Sequence, residues 1–176
     1  KFNYPTTLID FFYTNSDLSN NRHYGSLTNK NFLIGKKIFF VPTFVMGDGI
    51  INILRGIFKL IKNKNVIFKE NYIKIHEVFK SYLYFFKINK FNVKYNDYKG
   101  VDYSNLIFEE IKEYQDPNTI IISKINYYFV KNLKKINFKI NKVINWFENQ
   151  QVDRSWNYSF RKNFPKIQIL GYQGFT

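Results

Sequence analysis

Val143-Ile144-Asn145-Trp146-Phe147-Glu148-Asn149-Gln150 leads through Asp153-Arg154-Ser155-Trp156-Asn157 to Ile169-Leu170-Gly171-Tyr172-Gln173-Gly174-Phe175. An apolar run ends in a carboxylate and two amides, and a short helix of polar and aromatic residues follows. A second apolar run then ends in Gly-Tyr-Gln-Gly. Strand, polar tip, helix, strand, polar tip is the pattern by which an open α/β sheet presents a site at the carboxyl ends of its strands. The spacing predicts a strand over Lys142–Phe147, a helix over Asp153–Asn163 and a strand over Lys166–Leu170.

The same alternation extends backwards along the chain. Lys37–Val45 is rich in β-branched and aromatic residues, and Pro42 requires that strand to end, bulge or lie at an edge. A helix is expected from about Ile50 to Lys62. Its residues Ile50, Ile53, Leu54, Ile57, Phe58 and Ile61 recur at three and four positions, and Gly56 marks a close contact. Val66–Phe68 reads as a short strand and Tyr72–Phe86 as a helix burying Ile75, Phe79, Tyr82, Leu83 and Phe86. Asp102 suits the cap of a helix over Tyr103–Tyr114, with Leu106, Ile107 and Ile111 inward. Asp116-Pro117-Asn118 signals a turn, and Ser123–Ile136 a helix. Two short runs stay open: Leu8–Tyr13 is helix or strand, and Thr119–Ile122 is a strand or the start of the next helix. The expected architecture is a single α/β domain over residues 1–176, three-layered and Rossmann-like with a mostly parallel sheet. A charged helical bundle is the rival.

With 27 basic against 13 acidic residues, the net charge is +14. Such a surface attracts polyanions, anionic headgroups and acidic sugars. The excess is nearly all Lys, spread along the chain without an Arg-rich stripe, which argues against nucleic acid as the main partner. Lys, Asn, Ile, Phe and Tyr also share AT-rich codons, so part of the bias is read as genomic. Cys is absent, which excludes disulfides and thiolate metal sites, and the two His are too far apart for a His-rich metal centre. No metal ligand set is expected. Gly-x-Gly-x-x-Gly and the Walker lysine loop are both missing, so no dinucleotide or P-loop site is expected. No apolar run is long enough to cross a bilayer. The expected placement is cytoplasmic, with peripheral contact at the inner face of an anionic membrane.

Three loci carry candidate chemistry. Glu148 at a strand tip suits a general base, or else it caps the next helix or pairs with Arg154; Arg154 suits a clamp for phosphate or carboxylate. Around them, Asn149, Gln150, Asn157 and Gln173 offer neutral donors and acceptors for sugar hydroxyls. Trp146 and Trp156 are either stacking surfaces or core. The second locus is Gly47-Asp48-Gly49 at a strand-to-helix junction, where Asp48 is either the helix cap or a second catalytic carboxylate. Lys69 and Glu70 form the third, at the end of the next short strand.

Residues 146–150, Asp153–Asn157, Phe160-Arg161, Phe164-Pro165 and Ile169–Gly174 resemble a segment of bacterial glycosyltransferases that build capsule or lipopolysaccharide. Phe44–Asn52 and Phe68–Glu70 are similar to earlier parts of that family. The resemblance implies one half of a two-domain GT-B enzyme, on the acceptor side. It also implies a glycan or lipid-linked acceptor and, as the only further small molecule, a nucleotide-activated sugar held by a carboxyl-terminal donor domain beyond this chain. A chain that opens at Lys1 and stops at Thr176 fits the expectation of a piece of a larger protein. The alternative function is a non-catalytic basic module for an anionic polymer, either acidic glycan or nucleic acid.

Overall fold

The computed structural model describes residues 6–13, 37–44, 49–88, 97–113 and 116–173. Among these, β1 (Thr6–Tyr13), β2 (Lys37–Phe44), β5 (Ile140–Trp146) and β6 (Gln168–Tyr172) form one sheet in the order β2-β1-β5-β6. Every pairing in it is parallel. The helices are α1 (Gly49–Leu60), α2 (Ile75–Ile88), α3 (Ser104–Glu113), α4 (Pro117–Lys135) and α5 (Gln151–Asn163). A small antiparallel hairpin of β3 (Asp97–Tyr98) and β4 (Val101–Asp102) precedes α3. Its turn residues Lys99 and Gly100 both have positive φ, 56° and 80°, the backbone that a tight hairpin requires.

Alternation along the parallel strands sends successive side chains to opposite faces, and both faces are covered. Leu8, Phe39, Val41 and Val143 point to one face, where α4 supplies Phe129, Val130 and Leu133 and α5 supplies Trp156 and Phe160. Ile9, Phe11, Tyr13, Ile38, Phe40 and Ile144 point to the other, against Leu60 of α1. The result is a helix–sheet–helix domain of generic Rossmann-like form, as the alternating pattern implies. The ambiguous run at Leu8–Tyr13 is the central strand β1. The run at Thr119–Ile122 belongs to α4, whose Pro117 sits in the first turn while Asp116 accepts from the amides of Asn118 and Thr119.

Pro42 does lie in an edge strand. Phe40 turns its backbone outward, donating to Asn65 O at 2.7 Å and accepting from Ile67 N at 2.8 Å. Two residues on, Pro42 faces the same way, so among the described residues its missing N–H costs no ladder bond. The short strand expected at Val66–Phe68 reduces to a single bridge from Val66 to Phe40. Gly56 is required: a Cβ there would enter the ring of Tyr13.

Two expectations about buried faces are corrected. In α2 the apolar stripe points outward, with Ile75 78%, Phe79 65% and Leu83 58% exposed, while Glu77 and Ser81 are buried. Glu77 accepts from Lys74 N and from Asn132 Nδ2 of α4, so paired polar groups bind this helix to the domain. In α3, Leu106 is 60% exposed instead of inward. That helix starts at Ser104, with Tyr103 O accepting its first bond from Ile107 N, so Asp102 lies one residue before the cap and accepts from Ser104 N at 2.8 Å.

Candidate functional site at the strand ends

Sheet order reverses between β1 and β5, since β2 follows on one side and β6 on the other. The two central strands pair from Thr6↔Ile140 to Ile9↔Ile144 and then part, while β1 continues against β2 as far as Tyr13. Such a reversal leaves a crevice outside the carboxyl ends of the strands. Below the strand ends Asp10, Thr43 and Asn145 are buried polar groups, all on the face that holds Leu8, Val41 and Val143.

Beneath this point lies a buried polar network. Lys69, from the 3₁₀ turn Lys69–Tyr72, donates to Thr43 Oγ1 at 2.7 Å and Asn126 Oδ1 at 2.8 Å. Its ammonium is 3.6 Å from Asp10 Oδ1 and 5.0 Å from the centre of the Trp156 ring. Thr43 Oγ1 donates in turn to Asp10 Oδ1 at 2.9 Å, and Asn126 Nδ2 to Ser155 Oγ at 3.2 Å. A buried cation needs pairing and hydrogen bonds, and Lys69 has both: two donated hydrogen bonds and a carboxylate at ion-pair distance. Lys69 therefore supports the strand ends from within the fold. Glu70 beside it is exposed and lines neither the cleft outside the loop after β5 nor the cavity between α2, α4 and α5. Trp156 is likewise core, stacked on Phe129 at 6.1 Å.

The loop after β5 is held from both sides. Asp153 Oδ2 accepts from Glu148 N at 2.9 Å and Gln150 N at 3.2 Å, and the Gln150 side chain accepts from the backbone of Asp153, completing a capping box. From outside, Arg154 Nε donates to the carbonyl of Asn149 at 3.0 Å, and Asn149 takes φ 63°. Gln150 Nε2 donates to Glu148 Oε2 at 3.1 Å. Arg154 thus binds the loop backbone, and Gln150 engages the Glu148 carboxylate. Burial pushes the Asp153 carboxyl above its ordinary range; the two amide bonds oppose that, and the charges of Asp10 and Glu148 add to it. Its Oδ1 accepts no hydrogen bond from the described residues.

Outside the loop is a cleft of about 450 Å³, and Glu148, Asn149, Gln150 and Arg154 all line it. Asp116 and Thr119 at the start of α4 form the facing wall. Hydrogen bonds from the Thr119 hydroxyl and from two amides outweigh burial and hold the Asp116 carboxyl below its ordinary range. The cleft therefore combines carboxylates, amides and one guanidinium.

The other expected site residues are placed as follows. Trp146 is half-buried at the end of β5, its ring 5.5 Å from that of Tyr172, and it does not line the cleft. Gln173 is exposed after β6, and Asn157 is half-buried along α5; neither lines the cleft. Gly49 is the first residue of α1, while Gly47 and Asp48 lie outside the described residues. Asp10, Asp153, Asp116 and Thr119 were missed. A visible signal existed for two of them: Asp10 interrupts the apolar run Leu8-Ile9-Asp10-Phe11-Phe12, and Asp153 stands three residues after Gln150 at capping-box spacing.

Comparison of the chain with family profiles, curated proteins and solved structures finds no match. Among the described residues no helix is long and apolar enough to cross a membrane, and no cluster of His, Asp and Glu could hold a metal ion.

Proposed function

We propose that this chain is the acceptor-side domain of an enzyme that transfers an activated sugar, and that the cleft after β5 receives a hydroxyl-rich acceptor. The fold is compatible with nucleotide- or sugar-binding enzymes in general, but fold alone names no activity, so the reading rests on the site. One observation carries it: Glu148, Asn149, Gln150 and Arg154 share one cleft, on a loop locked by Asp153 beneath and Arg154 outside. Preorganised amides and a carboxylate match the paired donors and acceptors of sugar hydroxyls.

In this reading Glu148 orients and deprotonates the acceptor hydroxyl, and the Gln150 amide holds the carboxylate in place. Arg154 presents its guanidinium to an acidic group on the acceptor or to the departing phosphate. The donor is a nucleotide-activated sugar and the acceptor a glycan or lipid-linked sugar, met at the cytoplasmic face of a membrane. The test is titration of the protein with oligosaccharides and nucleotide sugars, followed by calorimetry and by NMR shifts of residues 148–154. A saturable interaction that E148Q and R154Q each weaken at least tenfold is expected. Absence of any saturable sugar ligand, or binding indifferent to both substitutions, would overturn the proposal.

A further inference from the structure

A second cavity of about 450 Å³ opens between α2, α4 and α5. Two cations enter it. Lys124 Nζ, from α4, sits 3.4 Å from the centre of the Tyr84 ring on α2 and 6.0 Å from that of Tyr127. Lys162 Nζ, from α5, lies 5.5 Å from the Tyr127 and Tyr158 rings and donates to Tyr158 Oη at 3.2 Å. Both ammoniums thus lie within 6.0 Å of the centre of the Tyr127 ring, and no carboxylate is among the residues lining the cavity.

The two ammoniums together focus a positive field into this concave space. Burial and the charge of Lys162 both push the Lys124 ammonium below its ordinary pKa. No carboxylate lines the cavity to offset that field, whereas a bound dianion would. The rings of Tyr84, Tyr127 and Tyr158 give the cavity flat apolar walls, and its volume falls in the range of sites for small molecules.

We propose that this cavity binds a small organic phosphate, its dianion between Lys124 and Lys162 and its ring or sugar body against the tyrosines. The site is separate from the strand-end cleft, although Gln151 stands in the wall of both, and it does not depend on the sugar-transfer reading. Many of the chain's lysines would attract phosphate loosely, so the decisive property is location.

The experiment titrates phenyl phosphate, inorganic phosphate and neutral benzyl alcohol into the protein and into K124Q, K162Q and K166Q, with circular dichroism to verify folding. Lys162 and Lys166 are both exposed, so K162Q and K166Q remove equal charge at little structural cost. Expected are saturable one-to-one binding of phenyl phosphate, weaker binding of inorganic phosphate and none of benzyl alcohol. K124Q and K162Q should each lose at least tenfold, while K166Q stays within twofold of the parent. Titration without saturation, or an equal loss in K166Q, would show only a basic surface. Equal affinity for phenyl and inorganic phosphate would overturn the assignment of an organic ligand. Because no sugar is used, the outcome is independent of whether the strand-end cleft binds one.

Discussion

Helices α2 and α5 are similar in length and opposite in how they are held. The sequence of α2 is strongly apolar, yet its large side chains Ile75, Phe79 and Phe86 are exposed and its buried positions are Glu77 and Ser81. The sequence of α5 is polar, yet it buries Trp156 and Phe160 in the main core together with Asp153 and Ser159. Apolar periodicity thus finds a helix without saying which side the fold will use. A few large rings anchor α5, whereas the buried contact of α2 includes the hydrogen bond from Asn132 of α4 to Glu77.

The sharpest way to break this contrast is Trp156→Ala. The ring is fully buried and touches both Phe129 and Phe160, so its removal leaves a cavity among side chains that cannot collapse fully. A loss of about 3–5 kcal/mol in denaturant unfolding is expected. A loss below about 1 kcal/mol would show that α5 is held by something other than its aromatic face.

Glu77→Ala probes the other helix and should cost about 1–3 kcal/mol, because it strands Lys74 N and one bond of Asn132 Nδ2. Burial raises the Glu77 carboxyl, but hydrogen bonds from Lys74 and Asn132 and the charges of His76 and Lys135 outweigh it, leaving the folded-state pKa below the ordinary value. Since folding lowers this pKa, the stabilisation is present at neutral pH. It fades as pH falls from the ordinary carboxylate range through the lowered value. Unfolding curves of the parent and of E77A should therefore converge in acid. A gap that persists unchanged would assign the effect to packing alone.

The smallest expected effect is that of Phe79→Gln on the exposed stripe of α2, within about 0.5 kcal/mol. A loss above about 1 kcal/mol would mean that this face is covered in solution, and the contrast between the two helices would narrow.

The same asymmetry explains how much could be read beforehand. Strands β2, β5 and β6 and helices α1, α4 and α5 were legible because β-branched runs and three-to-four spacing are local properties. The strand-end locus at Glu148 and Arg154 was legible for the same reason, as a polar tip on an apolar run. The partners that organise it were not. Lys69 reaches Asn126 across 57 residues of chain and Thr43 across 26, and no local pattern encodes such a meeting.

Local spacing along the chain sets the alternation of elements, the parallel sheet that follows from it, and a carboxylate–amide tip at the end of β5. Only the tertiary structure decided that Lys69 is internal and that Glu148 is held by Gln150 while Arg154 holds Asn149. It also decided that Lys124 and Lys162, 38 residues apart in sequence, share a cavity. Elements form from neighbouring residues, whose spacing is written along the chain. Sites form where distant elements pack, and the partners there are chosen by charges and donors that must be satisfied once water is excluded.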